Sequence, residues 1–240
     1  MERLVLDTPR RARAIVLAVV SAAITWFVYV PIHELLHAAG CGVTGGTVTE
    51  LQIAPHYGGA LLELMFPFVV CGGDYAGRLS GFDTGGSDPV YLATDLAPFL
   101  LTVFIGVPML RACTRAHRPV LFGASLVVGL APVYNLFGDY HEMGSILTTR
   151  AAALVTGAPS VEDSPFAALR SDDIFKLIEQ IRTQTEQLDL SLSTPMALLL
   201  VGVSFVVGVL LALATYALGC GFGRVLAHRQ PTTPGIQTNG

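Results

Sequence analysis

From about Arg13 to Ala39 the chain is apolar and long enough to cross a bilayer with tilt, and within this run lies Pro31-Ile32-His33-Glu34-Leu35-Leu36-His37. A lipid-embedded segment has to be helical, because a helix satisfies its own backbone polar groups. A helix places His33 and His37 one turn apart on one face, so their imidazoles can converge on one divalent ion. Glu34 follows the first histidine and can take a proton from a water held there. Two histidines four apart with this glutamate form the donor pattern of a zinc hydrolase helix. Ionisable side chains at membrane depth are costly and point to function. Pro31 is expected to kink the helix just before the motif.

The remaining sequence extends the membrane reading. Only 13% of the 240 residues are charged, 52% are hydrophobic, and the mean hydropathy is +0.60; a soluble domain is about a quarter charged. The expected fold is an all-α polytopic membrane protein with about four transmembrane helices, a short membrane-associated β or re-entrant region and one amphipathic surface helix. The net charge of -4 comes without a basic patch interleaved with aromatics, so nucleic acid is not an expected partner. Cys41, Cys71, Cys113 and Cys220 lack ligand spacing and read as small apolar side chains.

Residues 1–12 form a basic leader, read as retained. A catalytic membrane core is expected over 13–144, with helices at 13–39, 89–111 and 119–138. Between the first two lies a strand and re-entrant region, 40–73: Thr47–Ile53 has β-branched character, and the apolar 60–71 is too short to span. A Gly/Asp/Ser loop follows over 72–88. A polar stretch, 145–194, is expected to carry an amphipathic helix at 171–190, capped by Ser171 and bearing Ile174, Leu177, Ile178 and Ile181 on its apolar stripe. A fourth span covers 195–221 and a polar tail 222–240. Charge bias places the leader, the Arg111–Arg118 turn and the tail on one side of the membrane. The positive-inside rule therefore makes the N-terminus cytoplasmic in a multi-pass protein of the cell membrane.

A hydrolase zinc commonly has three protein ligands and one water. His33 and His37 supply two, and the third is sought where the third helix ends, in Tyr134-Asn-Leu-Phe-Gly-Asp-Tyr-His-Glu. Asp139 is the first choice, His141 and Glu142 are alternatives, and Glu63 and Asp74 are weaker ones. Asn135, one turn before Asp139, can orient a ligand or bind substrate backbone. Asp95 is a polar exception in the second helix that can face the site. Iron or cobalt would suit such donors as well as Zn2+. An extended substrate could add to a strand such as 47–53 by edge pairing.

These residues resemble the site-2 protease family of intramembrane zinc metalloproteases. The likeness rests on HELLH at 33–37 in the first hydrophobic helix, on Cys41-Gly-Val followed by a strand-like stretch, and on Asn135-Leu136-Phe137 close to an Asp. It covers roughly residues 15–145. The resemblance implies Zn2+ held by His33, His37 and Asp139, with Glu34 as catalytic base. It also implies cleavage in or near transmembrane segments of membrane-anchored regulatory proteins. Two other functions fit the pattern: another HExxH membrane metallopeptidase with a downstream Glu ligand such as Glu162, or a catalytically silent membrane relative acting as a binding or scaffold protein.

Overall fold

The structure is a computed structural model that describes residues 8–116, 118–158, 161, 164–183 and 192–229. In chain order the elements are α1 (Thr8–Val43), β1 (Thr47–Ile53), α2 (Gly59–Met65), β2 (Val69–Cys71), β3 (Gly77–Asp83), α3 (Asp88–Leu96), α4 (Phe99–Leu101), α5 (Val107–Ala116), α6 (Pro119–Gly129), α7 (Ala131–Tyr134), α8 (Asp139–Thr156), α9 (Ile174–Thr183) and α10 (Thr194–Arg229). A π-helical turn, Thr102–Gly106, joins α4 to α5.

Two helices are long and apolar enough to cross a membrane, within α1 (Arg10–Val43) and α10 (Thr194–His228). Their outward faces expose Ile15, Val19, Val20 and Ile24 on one, and Leu199, Val206, Leu210 and Leu213 on the other. Bands of that kind suit acyl chains rather than water. A third span exists only if the bent pair Asp88–Leu96 and Phe99–Cys113, angled at 51°, counts as one. The expected four spans are therefore not found.

The cause is proline chemistry. The expected helix at 119–138 breaks into α6 and α7 because Pro132 has no N–H to give the carbonyl four residues back. That carbonyl, of Val128, instead accepts a hydrogen bond from Thr102 Oγ1 at 2.8 Å. The expected helix at 89–111 bends at Ala97-Pro98 for the same reason. Pro31, in contrast, does not interrupt α1, which is helical throughout.

The region after α1 is a three-stranded sheet of order β2-β1-β3, with β1 parallel to β2 and antiparallel to β3. β1 occupies the residues expected to form a strand. It is the central strand, however, so the edge suggested for substrate pairing is not on it. β3 lies in the stretch expected to be a loop, 72–88. The sheet folds back along α1: Cys41 lies against Gly46 and Thr47, whereas Tyr57, just past β1, accepts a hydrogen bond from Trp26 Nε1 at 2.9 Å and packs on Phe27. From Val43 back to Trp26 is 17 residues, about 25 Å of helix. The unit is thus re-entrant along α1, and α2 exposes Leu61, Leu64 and Met65 at its tip.

Residues 139–156 form a helix, although a polar loop was expected from 145 onward. α8 packs closely on α10: a Cβ on Gly144 would lie 2.0 Å from the Ser204 carbonyl, and one on Gly208 would lie 2.4 Å from that of Tyr140. Tyr140 Oη donates to Thr215 Oγ1 at 2.8 Å. Gly208 is 14 residues (208 − 194) into α10, about 21 Å from its start, so the first turn of α8 stands near the middle of that span. The amphipathic helix is shorter than 171–190; α9 buries Ile174, Leu177 and Ile181 against Ala197 and Val201. Its cap is Asp173, whose Oδ1 accepts from the backbone N–H of Phe175 and Lys176, and not Ser171. Residues 184–190 of the expected helix, 1–7 of the leader and 230–240 of the tail lie outside the described residues, whereas 222–229 of the tail continue α10.

Candidate metal centre

His33 and His37 leave α1 on one face, as one helical turn requires. Their Nε2 atoms are 3.1 Å apart. Asp139, the first residue of α8, brings its Oδ2 to 3.0 Å from the Nε2 of His33 and 3.6 Å from that of His37. Tetrahedral coordination with bonds of about 2.0–2.1 Å separates ligand atoms by about 3.3–3.4 Å. The three separations bracket that value. Among the described residues this is the one group of three or more His, Cys, Asp or Glu side chains placed to hold a metal ion.

Proton bookkeeping gives the same fit. The Thr94 carbonyl can only accept, so His37 Nδ1 carries the hydrogen in their 2.8 Å bond and Nε2 presents a lone pair. On the other side, His33 Nδ1 pairs with Tyr29 Oη at 2.8 Å. When that nitrogen donates, His33 Nε2 is also a lone pair, and the Asp139 carboxylate is a third acceptor. Three acceptors around one point repel each other unless a cation lies among them. Each histidine thus has its outer nitrogen fixed by a second group, as metal-bound imidazoles generally do. With a proton rather than a cation between these groups, burial raises the Asp139 carboxyl, but a protonated His37 and hydrogen bonds from both histidines outweigh it and hold the carboxyl below the usual carboxylate range.

The availability of Thr94 follows from the bend in the second helical segment. Pro98 is four residues on and has no N–H, so the carbonyl that an unbroken helix would have used is left for His37. Tyr29 was not singled out from the sequence, and Thr94 only as a polar neighbour of Asp95 in the second helix, without a role toward His37. Tyr29 was findable as the aromatic one turn before His33, and Thr94 as the residue four before a proline.

The other candidates go elsewhere. His141 is fully buried, but its Nδ1–H donates to the Ser171 carbonyl at 3.1 Å, so it braces the 170–173 segment and is not in the ligand group. Glu142 accepts from Tyr91 Oη. Burial raises the Glu142 carboxyl, against the lowering effect of that hydrogen bond. Glu63 in α2 and Asp74 before β3 are outside the ligand group, and Glu162 lies outside the described residues. Asp95 is buried and lines the same cavity as the ligands. Asn135 lines it too, with Nδ2 donating to the Ala131 carbonyl at 3.1 Å.

That cavity, about 830 Å³, holds Glu34 beside the two histidines. One wall is β3, which pairs with β1 and with no other described strand. The opposite wall is the 170–173 segment and α9. Arg78 on β3 pairs with Asp172 at 2.8 Å, and Arg170 pairs with Asp88 at the start of α3 at 2.7 Å, so ion pairs run from the 170–173 segment to β3 and to α3. Apolar packing closes the inner end, where the Phe99 ring lies 5.5 Å from His33 and 4.4 Å from Tyr140. In comparisons with protein-family models, curated proteins and solved structures, nothing matches this chain.

Proposed function

We propose that this protein is an integral-membrane zinc endopeptidase of the site-2 protease kind, hydrolysing peptide bonds in or near transmembrane segments of membrane-anchored, regulatory proteins. The observation that carries this reading is the convergence of His33, His37 and Asp139 with Glu34 in a polar cavity against a membrane-length helix.

A divalent ion held by His33, His37 and Asp139 would supply Lewis acidity toward a carbonyl and make water acidic near neutral pH. Glu34 accepts the proton from the attacking water and returns it to the departing amine. Tyr29 and Thr94 keep the imidazoles in the tautomer that turns Nε2 inward. The unpaired edge of β3 runs along the cavity and offers backbone groups to a substrate unwound into an extended strand. Asn135, which follows α7 and also lines the cavity, has donor and acceptor capacity left for the substrate backbone. The buried polar cavity lets water reach a bond that a lipid-embedded helix would otherwise shield.

The test is cleavage of a model transmembrane substrate in proteoliposomes, with metal content, for the wild type and Glu34→Gln. Glu34→Gln is expected to keep the ion and lose cleavage by about 10²-fold or more. Equal cleavage by both proteins would refute the peptidase reading.

A further inference from the structure

The two halves of the HELLH motif are held by different parts of the fold. The histidine face of α1 meets α3 and α8, which supply Thr94 and Asp139. The other face carries Glu34, Ala38 and Cys41 at helical spacing and lies on the sheet. Cys41 packs at the start of β1, and Ala38 is buried with Leu51 and Ile53. Glu34 meets the start of β3 at Gly77.

That contact leaves no room for a side chain on the strand. A Cβ on Gly77 would lie 2.4 Å from Glu34 Cγ, 3.0 Å from Cδ and 3.3 Å from Oε1. Cγ is the first atom past Cβ, so it yields only by a change of χ1. In a helix one of the three χ1 wells is already closed by the preceding turn. A methyl at Gly77 therefore closes a second, and the carboxylate swings away from the histidines. The strand cannot give way easily. Gly77 is in register with fully buried Ile53, and the adjacent Ala54 N–H donates to Ala76 O at 3.1 Å. Gly77 does not have a positive φ, so alanine fits its backbone and the effect is confined to the contact.

We propose that Gly77 is the positioning residue for Glu34, the bare stretch of strand that keeps the base turned toward the metal centre. This rests on the reading of Glu34 as general base. It makes the sheet the part of the fold that aims the proton acceptor, independently of the helices that hold the ligands.

The test is a two-by-two set in the full-length protein: wild type, Gly77→Ala, Glu34→Ala and the double variant. Each is measured for metal content, Tm in detergent and, where Glu34 is present, cleavage of a transmembrane substrate. Gly77→Ala is expected to keep the wild-type metal stoichiometry and lower Tm by several degrees. In the Glu34→Ala background, where the colliding atom is gone, the same change should leave Tm nearly untouched. With cleavage as the readout, kcat falls about 100-fold while KM changes little. Equal Tm effects in the two backgrounds, loss of metal in Gly77→Ala or an unchanged kcat overturns the assignment. A wild type that cleaves nothing while the Tm coupling holds removes the peptidase reading and leaves the Glu34–Gly77 contact established.

Discussion

Gly144 is expected to couple helix packing to the candidate metal centre. Replacing it with alanine places a Cβ 2.0 Å from the Ser204 carbonyl oxygen and 2.8 Å from the Gly208 nitrogen, all backbone. An ordinary contact begins at 3.4 Å, so α8 and α10 have to part by about 3.4 − 2.0 = 1.4 Å at that point. Overpacking of this kind costs about 1–3 kcal/mol, and a chain of this size loses about 2–4 °C in Tm per kcal/mol. Asp139 is five residues upstream on the same helix and moves with it. Metal–ligand distances tolerate only about ±0.2 Å, so even a fraction of the displacement is felt at Oδ2. Gly144→Ala should therefore lower Tm and weaken metal binding about tenfold or more, a size typical of damage around a metal site. Competition against a chromophoric chelator in detergent measures the affinity. Gly202→Ala is the control, because its Cβ on the same α10 would meet nothing within 4 Å. Wild-type metal affinity in Gly144→Ala alongside a lowered Tm would show that α8 does not carry its strain to Asp139, and would refute the coupling.

Other expectations concern single contacts. Asp139→Ala should lose the ion, whereas Glu142→Ala and His141→Ala should retain it; metal analysis after dialysis decides, and metal loss in Glu142→Ala would reassign the third ligand. Thr102→Val leaves the Val128 carbonyl without its donor at the proline break, and should cost about 1–3 kcal/mol, read as a lower Tm. Asp172→Asn removes an ion pair whose partners are more than a third exposed, so its stability effect should stay under about 1 kcal/mol; a larger Tm shift would mean that the pair holds the cavity walls together. Trp26 is the only tryptophan, and acyl-chain bromines should quench it if the re-entrant unit lies at membrane depth. Tyr57→Phe should change that emission, since it removes the indole's acceptor.

Local periodicity determined the motif half of the site. Any helix through residues 33–37 puts His33 and His37 on one face and Glu34 on the next, whatever surrounds it, and hydropathy alone marks α1 and α10 as membrane-length. The strand at Thr47–Ile53 was legible for the same reason, because β-branched alternation acts over neighbours. Span number was not legible from hydropathy: the apolar stretches at 89–111 and 119–138 are interrupted at Pro98 and Pro132, and whether a proline breaks a helix depends on what takes the orphaned carbonyl. Thr102 and His37 take two of them, while α1 runs on through Pro31. Tertiary structure alone put Asp139, and neither His141 nor Glu142, beside the two histidines, since three acidic or imidazole groups within one turn differ only in where the packing of α8 on α10 directs them. It also decided that a glycine 43 positions after Glu34 borders that side chain, because the contact depends on strand register and on which face of α1 the sheet covers. Composition specifies which groups can hold a metal and move a proton. Only the packing of α8, α3 and β3 around α1 brings them to a few ångströms of one another.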